Sequence, residues 1–125
     1  MAIWKTLCEN FFQRVVGDGK VVADLACGYG EFINNIKAPK KYAIDLNPDA
    51  RQFLTKDIEF CLSHADDMSA IPSNVIDVVF TSNFLEHLKT KDECDAVLGE
   101  VLRVLKLGGR FIIMGPNIRY LAAEY

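Results

Sequence analysis

The chain is short of several things that would have fixed its class at once. No apolar run approaches the ~20 residues of a membrane helix, so no membrane partner is expected. Its cysteines are few: Cys8, Cys27, Cys61 and Cys94 lie far apart, with no CxxC or CxxH pair, so no zinc ligand set is present and no metal site is expected. Cys8, Cys27 and Cys61 fall in apolar stretches, where a free thiol behaves as a small hydrophobe, and a reduced, cytoplasmic chain is the simplest reading. Excess positive charge is also missing. Fourteen basic residues stand against 17 acidic ones, a formal net of −3, so binding to nucleic acid through phosphate contacts is not expected. Repeats, linkers and low-complexity segments are absent. The opening Met1-Ala2-Ile3-Trp4-Lys5 runs into polar and acidic residues rather than the apolar core of a signal peptide.

What is present is one domain's worth of chain, 125 residues with half of them hydrophobic and a quarter charged. A globule of that length buries roughly two thirds of the surface its unfolded chain exposes, enough for a core without disulfides or metals. Ile3, Trp4, Leu7, Cys8, Phe11, Phe12, Val15 and Val16 form the stripe of an amphipathic helix over 3–16, ended by Gly17-Asp18-Gly19. Short apolar strands are expected at 21–25, 42–44, 58–62, 75–80 and 110–114. Between them, 31–37 reads as helix. So does 47–54, opened by Asn47 as cap and Pro48 at the first turn. Residues 63–74 read mostly as loop. Thr90 and Glu93 make a capping-box pattern for a helix reaching Lys106, with Gly108-Gly109 as its stop.

Apolar strands alternating with helices specify an α/β fold, a doubly wound and mainly parallel five-stranded sheet with helices on both faces. The expected organisation is a single domain, 1–125, with an N-terminal helix to residue 19, a core over 20–117 and a tail over 118–125. Ligands of such sheets sit beyond the carboxyl ends of the strands, so the informative residues are those just after each strand.

The turn after the first strand is Asp24-Leu25-Ala26-Cys27-Gly28-Tyr29-Gly30. A dinucleotide fingerprint, G-x-G-x-x-G, fails here: counting from Gly28, the third glycine position holds Ile33. A carboxylate at Asp24 would also repel a pyrophosphate. It suits a cationic ligand instead. Gly17-Asp18-Gly19-Lys20 lacks the spacing and the Ser or Thr of a P-loop.

Val22–Gly30 resembles the first motif of class I S-adenosylmethionine-dependent methyltransferases, with Ala26 in place of the first glycine. Alanine is small enough for close approach. Tyr42-Ala43-Ile44-Asp45-Leu46-Asn47-Pro48 is similar to the second motif; Asp45 follows Asp24 by about 20 positions, where a carboxylate accepts from ribose hydroxyls. His64-Ala65-Asp66-Asp67-Met68 resembles the segment that holds adenine. Asp66 and Asp67 compete for the exocyclic amine, Asp67 having the better spacing to Pro72, and Met68 would pack on the ring. Leu102–Phe111 is similar to the family's R-V-L-K-P-G-G-R-F segment, with Leu107 for the proline.

The resemblance implies S-adenosylmethionine as cofactor, S-adenosylhomocysteine as product, and a strand order of 3-2-1-4-5. It assigns cofactor contacts to Asp24, Ala26, Cys27, Gly28, Tyr29, Gly30, Asp45, Leu46, Asp66, Asp67, Met68 and Asn83. Methyl transfer is expected to go to a small-molecule acceptor, since Thr81-Ser82-Asn83-Phe84 is not the N/D-P-P-Y/F motif of amino-directed nucleic-acid enzymes. His87, oriented by Glu86, is the candidate base; the alternative is that the pair only opens a helix. Asn117 is a further candidate for the cleft. The family's strands six and seven are not in the sequence. Strand five would therefore be an unpaired apolar edge, which the tail, a second copy of the chain or a partner chain is expected to cover. The other reading is a catalytically incomplete cofactor-binding fragment or subunit.

Overall fold

A computed structural model describes residues 2–115. The N-terminal helical run consists of α1 (Ala2–Leu7), a π segment (Cys8–Phe12) and α2 (Gln13–Val16). Then come β1 (Val22–Leu25), β2 (Lys41–Asp45), a 3-10 segment (Pro48–Phe53), β3 (Ile58–Leu62), β4 (Ile76–Ser82), a 3-10 turn (Leu85–His87), α3 (Lys91–Val104) and β5 (Leu105–Met114). The five strands form one sheet in the order β3-β2-β1-β4-β5, and every pairing is parallel.

Alternation along the strands divides the core between the two faces of the sheet. Val22, Ala43, Val78 and Phe80 face the N-terminal helical run with Cys8, Phe12, Val16, Phe32 and Ile36. Ala23, Leu25, Ile44 and Val79 face α3 with Val97, Val101 and Val104. Ile76 lies on the α3 face together with Val79, three positions on, because a register shift at Asp77 interrupts the pleat. Thr81 joins two strands from inside, its buried hydroxyl donating to the Leu25 carbonyl at 2.8 Å.

Three expected helices change form. Residues 31–36 make turns rather than a helix. The Ile33 carbonyl takes the Lys41 ammonium at 3.0 Å, and the Lys37 N–H that a helix would aim at that carbonyl goes to Gln13 Oε1 at 2.8 Å. The segment after Asn47 is 3-10, although Asn47 does cap it, accepting from Asp49 N. Helix α3 stops at Val104 rather than at Lys106. Its last carbonyls are taken by other chain segments, Arg103 O by Asn74 N and Val104 O by Val75 N, and Leu105 is already extended and opposite Ile76. Gly108-Gly109 are therefore not a helix cap. They lie within β5, where the register jumps from Leu105 to Arg110.

Among the described residues no helix is long and apolar enough to cross a membrane. Asn117 and the tail lie outside the described residues, so the expectations placed on them have no structural counterpart here.

Candidate functional site

The carboxyl ends of β1, β2 and β4 meet at the turn 26–30. Short β1 ends at Leu25, and the chain reverses through three successive positive-φ positions at alternate residues: Ala26 (59°), Gly28 (55°) and Gly30 (74°). The turn is pinned to β2 at two points. Cys27 N donates to the Ile44 carbonyl at 3.0 Å, and Gly28 N donates to Asp45 Oδ2 at 2.9 Å. The other oxygen, Asp45 Oδ1, accepts from Asn47 N at 2.9 Å. Asp45 is thus fixed by two backbone amides, and a carboxylate has roughly four acceptor positions, so each oxygen keeps capacity for a further donor.

Two cavities flank this turn and share Ala26. One, about 90 Å³, is lined by Leu25, Ile44, Asp45, Leu46, Ser63, Ala65 and Phe84 as well as Ala26, and is almost wholly apolar apart from Asp45 and Ser63. The Ser63 hydroxyl is buried without any partner. The other cavity, about 290 Å³, is lined by Trp4, Asp24, Cys27, Gly28, Tyr29, Glu31, Phe32, Phe80, Ser82 and Asn83 together with Ala26. Its electrostatics are acidic. Asp24 is only 3% exposed, and burial pushes its carboxyl well above the ordinary 3.8, against the pull of the Ile33 N–H; the nearby Asp45 pushes it the same way. The Cys27 thiol is pushed up to about 12, first by burial and then by Asp24 and Asp45, so it is an unreactive wall group.

Asn83 reaches the acidic cavity because β4 continues to Ser82 and the next residue turns at φ 53°, a conformation asparagine tolerates, with its N–H on the Met114 carbonyl at 2.8 Å. Of the residues expected to bind cofactor, the fold brings Asp24, Ala26, Cys27, Gly28, Tyr29, Asp45, Leu46 and Asn83 to the two cavities. Gly30 is buried behind the turn, its Cα facing Leu54 and Asn34. Asp66 and Asp67 are exposed on the loop after β3 and line neither cavity. Met68 is turned into the core beneath α3, 1% exposed. Its N–H donates to Glu100 at 2.7 Å, and its carbonyl accepts from Arg103 at 2.8 Å. Glu86 and His87 sit exposed on the 3-10 turn after β4, outside both cavities.

Sequence reasoning did not single out Trp4, Glu31, Phe32, Ser63, Ala65, Phe84 or Ser82 as lining residues. Phe32 and Trp4 carried only the signature of core packing. Ala65 lies within the expected adenine segment and Ser63 borders it, so the segment was legible but the lining residue was not. Among the described residues no cluster of His, Cys, Asp and Glu could hold a metal ion.

The chemistry of the two cavities can be tested against a ligand with an apolar, hydroxyl-rich nucleoside at one end and cations at the other. The first offers an apolar slot with an anchored carboxylate at its edge and an orphaned hydroxyl in its wall. The second offers carboxylates among aromatic rings. They fit S-adenosylmethionine and do not fit a dinucleotide, whose pyrophosphate would meet Asp24.

Comparison with known proteins agrees. Residues 23–113 match the family described as methyltransferase domain. The fold is that of the PH0226 protein of Pyrococcus horikoshii, at 25% identity and a TM-score of 0.78, over 98% of this chain and 60% of that one. It is also that of a SAM-dependent methyltransferase from Archaeoglobus fulgidus, at 24% identity and 0.72, over 93% of this chain and 53% of that one. The same holds at 18% identity and 0.66, over 88% and 58%, for the chain complexed with the Trm112 methyltransferase activator of Haloferax volcanii. The chain thus spans little more than half the length of these proteins. No curated protein matches the sequence. With five parallel strands in the order 3-2-1-4-5 and a matching family signature over most of its length, the chain belongs to the methyltransferase-domain family of class I, whose cofactor is S-adenosylmethionine.

Proposed function

We propose that residues 1–125 form a single domain that holds S-adenosylmethionine across the turn 26–30 and transfers its methyl group to a small-molecule acceptor. The observation that carries this is the pair of cavities meeting at Ala26, one apolar beside Asp45 and one acidic around Asp24. Asp45, already oriented by Gly28 N and Asn47 N, accepts from the ribose hydroxyls. Leu46, exposed at the lip of the apolar cavity, packs on the base. Asp24 faces the cationic end, with Asn83 beside it. When bound, the cofactor supplies an activated methyl on a sulfonium; the protein's part is to hold it and the acceptor in contact, with reacting atoms ~3–3.5 Å apart. Where the acceptor carries a proton, His87 is the side chain proposed to take it, with Glu86 as its neighbour. Asp66 and Asp67, exposed on the loop after β3, are the two side chains proposed to compete for the exocyclic amine of the base.

Calorimetric titration with S-adenosylmethionine and S-adenosylhomocysteine tests the binding half, and transfer of labelled methyl to a panel of small acceptors tests the rest. If neither ligand binds, the proposal fails.

A second reading is favoured by one observation. Among the described residues β5 pairs with β4 alone, and Ile113 on it is 51% exposed. In this reading the chain is a cofactor-binding subunit whose β5 edge is covered by a second copy or by another chain. Binding of cofactor without transfer, together with a monomer mass by light scattering, would count against a second copy and leave a partner chain as the missing component.

A further inference from the structure

The acidic cavity has an aromatic wall that comes from outside the sheet. Trp4 belongs to α1, yet it lines the same cavity as Asp24, Glu31 and Asn83. Its position is determined by a cluster of rings. Phe32 stacks flat on Phe80 at 3.7 Å and 11°, and both are buried. Phe12 meets Phe80 edge-on at 5.3 Å. Trp4 lies parallel to Phe12, with centroids 6.1 Å apart and planes 15° apart, and perpendicular to Phe80 at 6.5 Å. In an uninterrupted α-helix, positions 4 and 12 would stand ~12 Å apart along the axis. Between them runs the π segment Cys8–Phe12, an irregularity that recurs at functional sites. The buried rings thus hold the indole at the cavity while leaving it half-exposed.

We propose that Trp4 is the π wall of a cation site: its indole, beside the carboxylates of Asp24 and Glu31, recognises the sulfonium of the cofactor and so favours S-adenosylmethionine over the neutral thioether S-adenosylhomocysteine. This rests on the cofactor-binding reading above and deepens it. Trp is the best of the aromatic residues at facing a cation, and the attraction grows when the cation is desolvated. A purely apolar wall would treat sulfonium and thioether alike or prefer the thioether. The carboxylates alone would be satisfied by the ammonium, which both ligands carry. The ratio of the two affinities therefore isolates what the ring does for the sulfonium. Through Trp4 the N-terminal helical run becomes part of the cofactor site.

Trp4 is the only tryptophan in the chain, which makes the test clean. Uniform incorporation of mono- and difluorotryptophan alters this residue alone, keeps its shape, and withdraws electron density from the ring face. Calorimetric affinities for both ligands are measured on the unmodified, monofluoro and difluoro proteins, and on Trp4→Phe and Trp4→Leu. The expected result is a stepwise fall in the S-adenosylmethionine to S-adenosylhomocysteine affinity ratio, about 2–5-fold by difluorotryptophan and about 3–30-fold in Trp4→Leu, with Trp4→Phe between the native protein and Leu. Indole fluorescence should change on saturation with either ligand. A ratio unmoved by fluorination, with both ligands still binding, would overturn the proposal, as would unchanged fluorescence at calorimetric saturation. If the unmodified protein binds neither ligand, the cofactor-binding reading itself fails; that outcome is separate and is seen before any substitution is made.

Discussion

Replacing Gly30 by alanine tests how the turn between the two cavities is built. At φ +74° an L residue costs about 1–2 kcal/mol, offset by about 0.4–1 kcal/mol from the stiffer unfolded chain. A Cβ there would also lie 2.6 Å from Leu54 Cδ2 and 3.0 Å from Asn34 Nδ2. Leu54 can move. Asn34 cannot without loss, because its amide donates to the Phe53 carbonyl at 2.7 Å and accepts from Thr55 N at 3.1 Å. Forced overpacking of this kind costs about 1–3 kcal/mol, and the lower half applies because one neighbour is flexible. The expected loss is about 2–3 kcal/mol, a large share of the 5–15 kcal/mol that holds a domain folded. Gly28 supplies the comparison. Its φ is +55° and nothing lies within 4 Å of an added Cβ, so Gly28→Ala should lose only about 0.5–1 kcal/mol. Urea unfolding reads both. Gly30→Ala should lower the midpoint by about 1 M with an unchanged slope, and Gly28→Ala by less than half of that. Equal losses in the two variants would refute the steric argument and leave backbone conformation as the only cost.

Asp24→Asn should change the pH dependence of stability in the ligand-free protein. Burial raises the folded pKa of Asp24 above its ordinary 3.8, so the folded state binds more protons than the unfolded one above that pH, and stability falls as pH rises from there toward the folded pKa. The variant lacks this slope, and urea midpoints should show it gaining on the native protein as pH rises above 3.8. Asp45→Ala removes the acceptor for Gly28 N and Asn47 N together with the carboxylate proposed to meet the ribose; calorimetry should show S-adenosylmethionine affinity falling by about 10-fold or more. Thr90→Ala removes the hydroxyl that accepts from Glu93 N at 3.1 Å and should cost about 1 kcal/mol in urea unfolding, with cofactor affinity unchanged.

Much of the fold could be read without coordinates because its signals are local. Short, mostly apolar runs such as 42–44 and 76–80, rich in β-branched and aromatic residues and bounded by turn residues, favour strand locally, and Thr90 caps a helix by reaching three residues along the chain. The misread elements are those whose hydrogen-bond partners are distant in sequence. Residues 31–36 have the composition of a helix, but Lys41 takes the Ile33 carbonyl and Gln13 takes the Lys37 N–H. Gly108-Gly109 look like a helix stop, but Asn74 and Val75 reach the last carbonyls first. Met68 shows the same limit at the site. Its neighbours in sequence are polar, yet Glu100 and Arg103 fasten it beneath α3.

The sequence by itself determined the alternation of strand and helix, hence a parallel sheet, and the carboxylates Asp24 and Asp45 at the ends of its first two strands. Spacing along one chain is enough for that, because a strand end is a local event. Only the tertiary structure decided what surrounds those carboxylates. Trp4 and Asn83 lie far apart in the chain yet come to one cavity, and the Ser63 hydroxyl, just beyond β3, is buried without a partner. Burial is a property of the whole packing, and the raised pKa of Asp24 follows from burial.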